Sequence, residues 1–267
     1  MKPHIQVYFC EHRHFLQDDW QAEAFACLNA SELSRYHRFT RLQPKRTFLL
    51  ARLLLKTALA SRLGRAASDI HLAASKNGKP YIVDETELQL NISHSGKALA
   101  VAIADCTLGI DVEDQLKLQK VLPLAGQYIN DQAAADIAST ANAALALDRL
   151  TLYWTTLESL VKFQDSSIFK ARREFVLPPA VCKDRCSFNF AGQQFFSLAV
   201  ANDFRITLCS PLSEHSCDFQ QVTPDTLNLL HQGSVSGADK VLQSAKRASM
   251  QWTVTKAATN DSSTATV

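Results

Sequence analysis

Several things are missing from this 267-residue chain. No apolar run is long enough to cross a bilayer, because Arg52 and Lys56 interrupt the greasiest stretch. The opening residues, Met1-Lys-Pro-His-Ile-Gln-Val-Tyr, lack the apolar core of a signal peptide. The seven cysteines (Cys10, Cys27, Cys106, Cys182, Cys186, Cys209 and Cys217) are odd in number and scattered, with no Cys-x-x-Cys pair. They read as reduced thiols rather than a disulfide framework, and a metal clip of Cys182 with Cys186 would lack partners nearby. These absences point to a cytoplasmic protein that does not engage a membrane. Bulk numbers add little: a formal charge of +2, 46% hydrophobic and 20% charged residues describe one large globular domain or two small ones.

Acid is also missing from one stretch. Between Glu32 and Asp69 there is no Asp or Glu, while Arg35, Arg38, Arg41, Lys45, Arg46, Arg52, Lys56, Arg62 and Arg65 are all basic. Taken singly, these are a solvated helix face. As a block they repel one another, which suits a phosphate-bearing ligand or an acidic protein. Nucleic acid is the poorer match, for want of a recognition-helix signature or interleaved stacking aromatics.

What is present falls into two similar halves. A helix over 44–63, with Pro44 at its start and Gly64 past its end, precedes short strands at 88–93, 98–104 and 108–113. A helix over 145–163 precedes strands near 187–190, 195–201 and 204–208. The spacing predicts an α+β fold of two lobes related by a pseudo-two-fold, each a helix packed on a small antiparallel sheet. The lobes run over 1–106 and 107–215, their interface forming a cleft, and 216–267 is an extension. The pattern decays beyond Ser213, and a disordered tail is expected from Ala257.

Five short motifs carry chemistry. Leu108-Gly-Ile-Asp111-Val-Glu113, read as a strand, sends Asp111 and Glu113 to one face and Leu108, Ile110 and Val112 to the other. Paired acids repel, and a hard cation relieves that. Trp154-x-x-x-Glu158-Ser159-x-x-Lys162, read as a helix, puts Glu158 and Lys162 one turn apart. Lys76-Asn77-Gly78-Lys79-Pro80 is a tight turn flanked by lysines. Asn91-Ile-Ser93-His94-Ser95-Gly96 ends a strand with hydrogen-bond donors for an anion. The fifth is the basic helix upstream.

In this order and spacing the motifs resemble the 4′-phosphopantetheinyl transferase superfamily, in its two-lobed, surfactin-synthetase-activating type, from roughly Arg35 to Lys162. The resemblance implies an Mg²⁺-dependent transfer (with Mn²⁺ as the alternative ion) of 4′-phosphopantetheine from coenzyme A to a serine of an apo acyl- or peptidyl-carrier protein. That reaction releases 3′,5′-ADP. It implies Asp111, Glu113 and Glu158 as metal ligands, and Glu158, Lys162 and Asp111 as catalytic residues. Glu158 would be the base for the serine hydroxyl, and Lys162 would neutralise the diphosphate. Asn77, Gly78, Lys79 and Pro80 would line the adenine and ribose. Ser93 and His94 would touch phosphates, with Arg46 and Arg35 facing the 3′-phosphate. The partners implied are coenzyme A and a carrier protein, the pathway fatty-acid or polyketide-like biosynthesis, and the chain is expected to act as a monomer. One departure stands out: the family's helix motif has a lysine where this chain has Leu157. A non-enzymatic coenzyme A-binding or scaffold protein of the same fold is the alternative. A metal-dependent nuclease fits less well, because its acid and lysine sit two apart on a strand.

Overall fold

Strand β5 (Ala98–Ala104) sets the layering of the molecule. Its sequence Ala-Leu-Ala-Val-Ala-Ile-Ala alternates, so the leucine, valine and isoleucine share one face and the four alanines the other. Leu99, Val101 and Ile103 pack with the leucines of helix α3 (Leu42–Leu63). The alanine face packs against a second sheet, together with Ile5, Val7 and Phe9 on one side and Leu108, Ile110, Val112 and Ile206 on the other. The computed structural model describes residues 3–17, 19–168, 171, 184–201, 203–211, 215–233 and 249–253.

The first sheet contains β1 (His4–Glu11), β4 (Gln89–Ser95), β5, β10 (Ser216–Gln221) and β11 (Ser249–Thr253), in the order β11-β10-β1-β5-β4. β1 runs antiparallel to β5, with Ile5 opposite Ala104, and parallel to β10, with His4 opposite Ser216. The second sheet is antiparallel throughout: β6 (Gly109–Asp114), β9 (Phe204–Pro211), β8 (Gln193–Val200) and β7 (Arg185–Phe190), in that order. A small hairpin of β2 (Leu72–Ala74) and β3 (Pro80–Ile82) stands apart. Helix α6 (Ala143–Phe163) covers β6 and β9, with Asn142 accepting from two backbone N–H groups at its start. The result is an α+β fold layered as helix, sheet, sheet, helix. Among the described residues no helix is long and apolar enough to cross a membrane.

Both long helices, the 98–104 strand and the strands of the second sheet lie where the pattern puts them. Three features differ. The strands at 88–93, 98–104 and 108–113 are not one antiparallel sheet: β4 and β5 pair, but β6 crosses to pair with β9, because β1 occupies the free edge of β5. The first sheet is mixed rather than antiparallel, since β10 joins it in parallel. That strand also lies past the point where the pattern decays; with only Cys217 and Phe219 pointing to the core, it is too short to show a period. Cys182 and the tail from Ala257 lie outside the described residues.

The basic block is not unopposed. Helix α2 (Ala30–Arg38) opens with a capping box in which Asn29 accepts from the Glu32 N–H and Glu32 accepts from the Asn29 N–H. The same Glu32 carboxylate faces back into α3. It lies 2.7 Å from the Lys56 ammonium and 2.9 Å from Arg52 Nε, the latter an ion pair out of line for a hydrogen bond. Lys56 is 0% exposed and also donates to the Cys27 carbonyl at 2.6 Å. Arg62 pairs with Asp105. Arg35, Arg38 and Arg41 remain exposed. Removing one partner of a buried ion pair strands the other, so Glu32→Ala is expected to destabilise the fold by about 3–5 kcal/mol in denaturant unfolding. An exposed control, Glu23→Ala, is expected to change stability by less than about 0.5 kcal/mol.

Candidate active site

β6 is an edge strand of its sheet, so its outward N–H groups need partners from elsewhere. They find them in side chains. Asn91 Oδ1, Ser93 Oγ and Ser95 Oγ, alternate residues on one face of β4, accept from the N–H groups of Ile110, Val112 and Asp114 at 3.2–3.4 Å. The two serine hydroxyls then turn their own protons to the acids between those N–H groups. Ser93 Oγ donates to Asp111 Oδ1 at 2.7 Å, and Ser95 Oγ donates to Glu113 Oε2. The carboxylates are therefore held at the seam of the two sheets, with Asp111 only 3% exposed and Glu113 8%.

α6 brings its residues to the same seam because nothing separates it from β6 at Gly109. A Cβ there would lie 1.9 Å from the Ser159 carbonyl oxygen and 2.4 Å from the Phe163 nitrogen. Lys162 Nζ donates to Asp111 Oδ1 at 2.6 Å and to Ser93 Oγ at 3.0 Å. Trp154 Nε1 donates to Glu113 Oε1 at 3.2 Å. Lys117, on helix α4 (Gln115–Gln119), lies 3.6 Å from Glu113 Oε2 and 3.3 Å from Ser95 Oγ.

The acids feel one another. Burial, with the Asp111 charge second, pushes Glu113 above the usual carboxylate range. Burial again, then Asp111, raises Glu158 to about 7 against the opposing pull of Lys162. Asp111 Oδ2 is buried without a hydrogen-bond partner among the described residues. A hard divalent cation suits this donor set: three repelling carboxylates with an orphaned buried oxygen. As the side chains stand, no three His, Cys, Asp or Glu among the described residues are gathered closely enough to enclose an ion. Lys162 supplies the positive charge on Asp111 instead.

Two cavities lie on either side of the 75–80 turn and Ile92, and Glu158 lines the first. The first, about 290 Å³, is lined by Asn77, Lys79, Glu158, Lys162 and Asp165 among others. The second, about 380 Å³, is lined by Arg35, Gln43, Thr47, Phe48 and His94 among others. Gly78, Pro80 and Ile92 border both. Ser93 and His94 face opposite ways. Strand alternation sends Ser93 to the acids, while the exposed His94 lines the second cavity. Lys79 Nζ donates to the Leu108 carbonyl at 3.0 Å. The Arg46 guanidinium binds the Phe15 carbonyl and lies over the Trp20 ring, 5.6 Å from its centroid. Leu157 is buried in a small apolar cluster with Val161 and Ala171.

With this geometry in place, similarity to known proteins becomes informative. The family described as "4′-phosphopantetheinyl transferase, N-terminal" matches residues 16–106. A Bacillus subtilis 4′-phosphopantetheinyl transferase is 31% identical over 88 residues, which is 33% of this chain and 39% of that protein. The 4′-phosphopantetheinyl transferase Sfp of B. subtilis strain 168 is 24% identical over 139 residues, 51% of this chain and 59% of Sfp. The chain is thus similar to 4′-phosphopantetheinyl transferases over part of its length. A further relative, slr0495 of Synechocystis sp., whose name assigns the activity provisionally, is 27% identical over 168 residues, 61% of this chain and 65% of its own length. The chain thus spans about two fifths to two thirds of the length of these curated relatives. The match to the transferase N-terminal family ends at residue 106, before the acid pair.

Three polar contributors to this site escape the motifs. Lys117 is one helical spacing from Glu113, but the strand-to-helix change between them hides the relation. Trp154 reads as part of the apolar stripe, and only the structure shows its N–H on Glu113. Asp165 follows the helix motif with no local signal. At the seam itself the Gly109 contact is decisive, and overpacking against two backbones is costly. Gly109→Ala is expected to lower stability by about 3 kcal/mol or more in urea titration, with Gly126→Ala, where the new Cβ comes no closer than 3.7 Å to a neighbour, as control.

Proposed function

We propose that this protein transfers the 4′-phosphopantetheine group of coenzyme A to a serine hydroxyl of an apo acyl- or peptidyl-carrier protein. The observation that carries the reading is the pairing of Asp111 with Lys162 and of Glu113 with Lys117, beside a cavity that Glu158 and Lys162 line. Similarity to 4′-phosphopantetheinyl transferases supports it. The two-lobe division at 1–106 and 107–215, with β10 completing the first lobe's sheet, belongs to the same proposal, as do a cytoplasmic location and a monomeric state.

In this reading the nucleotide of coenzyme A lies over the 75–80 turn and the second cavity, near Arg35 and His94. The diphosphate reaches Lys162. Asp111, Glu113 and Glu158 would hold Mg²⁺ or Mn²⁺, which supplies charge neutralisation on the diphosphate when bound. The carrier serine Oγ attacks the β-phosphorus in line as the bond to the bridging oxygen breaks. Glu158 takes the hydroxyl proton, and 3′,5′-ADP leaves with the bridging oxygen. Lys162 stabilises charge gathering on that leaving group, so the chain's part is positioning and electrostatics. Leu157 does not remove a charge from this set. The second ammonium at the acids comes from α4, through Lys117.

The direct test incubates the protein with coenzyme A, Mg²⁺ and a panel of apo carrier proteins and reads the carrier's mass. One phosphopantetheine is expected to be gained per carrier serine, and a panel left unmodified overturns the reading. Asp111→Ala is expected to reduce turnover at least about 10³-fold while circular dichroism stays native, because charge stabilisation at a transferring phosphoryl is worth several kcal/mol. If acidic carriers dock on the exposed Arg35, Arg38 and Arg41, the KM for carrier should rise steadily between about 50 and 300 mM NaCl with kcat little changed.

A further inference from the structure

Helix α6 ends in a strained way. Gln164 caps it, and the Ser166 N–H bonds back to the Val161 carbonyl at 3.0 Å. That closure requires a left-handed residue between them, a place usually given to glycine. Here it is Asp165, at φ 47°. An aspartate tolerates this conformation better than most residues, but not freely.

Its polar atoms show what the aspartate does there. Asp165 Oδ1 accepts from Ser75 Oγ at 3.1 Å, and the Asp165 carbonyl accepts from Asn77 Nδ2 at 2.5 Å. Both donors belong to the 75–80 turn, distant in sequence. Ser75 organises that turn: its hydroxyl oxygen accepts from the N–H groups of Asn77 and Lys79 at 3.2 and 3.1 Å, leaving its proton for Asp165. Lys79, which the Asp165 charge helps keep protonated against burial, crosses to the Leu108 carbonyl. The turn is therefore clasped at both ends, to the end of α6 and to the start of β6. Gly78, within the turn, and Pro80, at its end, line both cavities.

We propose that Asp165 is a positioning residue: it clasps the 75–80 turn to the end of α6 and so fixes the wall against which the nucleotide of coenzyme A is held. The second half of this statement rests on the function proposed above, and the clasp does not. Asp165→Gly removes the carboxylate while relieving the left-handed backbone, so the helix end is not expected to suffer. Asp165→Asn retains an oxygen acceptor for Ser75 and the same backbone tolerance.

Two measurements separate the parts. In ligand-free protein, amide hydrogen exchange at Asn77 and Lys79 is expected to be at least about tenfold faster in Asp165→Gly, with an unchanged or higher Tm and near-native rates in Asp165→Asn. In the transfer assay, Asp165→Gly is expected to raise the KM for coenzyme A about tenfold with kcat within about twofold, and Asp165→Asn to recover most of that loss. Unchanged exchange in Asp165→Gly overturns the clasp. Faster exchange with an unchanged KM overturns its role in holding the nucleotide. Wild-type protein that fails to bind coenzyme A by calorimetry overturns the functional reading, while the exchange result alone still upholds or overturns the clasp.

Discussion

The candidate site depends on a strand edge that has no strand beside it. β6 ends its sheet, yet its outward N–H groups are met by Asn91, Ser93 and Ser95 from a neighbouring sheet rather than by another backbone. A side chain reaching across in this way holds two layers at a defined register while leaving space between them. A continuous ladder would close that space. Because each serine hydroxyl accepts from a backbone N–H and donates to a carboxylate, the contacts that join the sheets also aim the acids. Fold and site thus share the same few atoms.

Charge at the seam is kept in balance by groups from four elements. Asp111 and Glu113 come from β6, their hydroxyl partners from β4, Lys162 and Trp154 from α6, and Lys117 from α4. Lys162 meets Asp111 most closely, and Glu158 retains a pKa near 7 because burial and like charge outweigh the nearby ammonium. The contrast with Glu32 is instructive. There, two cations enclose one carboxylate deep under α2, and the cluster anchors a helix rather than receiving a ligand.

Much of this was legible in the chain, for definite reasons. Alternation in 108–113 and helical spacing in 145–163 are local patterns with many residues voting, and both elements form where they predict. Asp111, Glu113 and Lys162 meet as their faces require. What escaped depends on distant partners. The parallel pairing of β10 with β1 links residues more than two hundred positions apart, and no local period announces it. Glu32 stands at the border of the acid-free stretch, so the stretch looked unopposed although its own neighbour neutralises Arg52 and Lys56. The left-handed Asp165 sits where a glycine would have signalled the helix end. Leu157, conspicuous as a motif departure, is explained by its burial beside Val161 and Ala171.

The alanine row of β5 has a consequence for how this protein can change. Ala98, Ala100, Ala102 and Ala104 are all fully buried between the sheets, where the smallest side chains permit the closest approach. Each added methyl group at these positions would wedge the layers apart and lengthen the short serine-to-acid reach on β4 and β6. Natural variation in this strand should therefore be confined to its helix-facing residues. The spacing of the buried acids is thus set by residues with no polar group of their own.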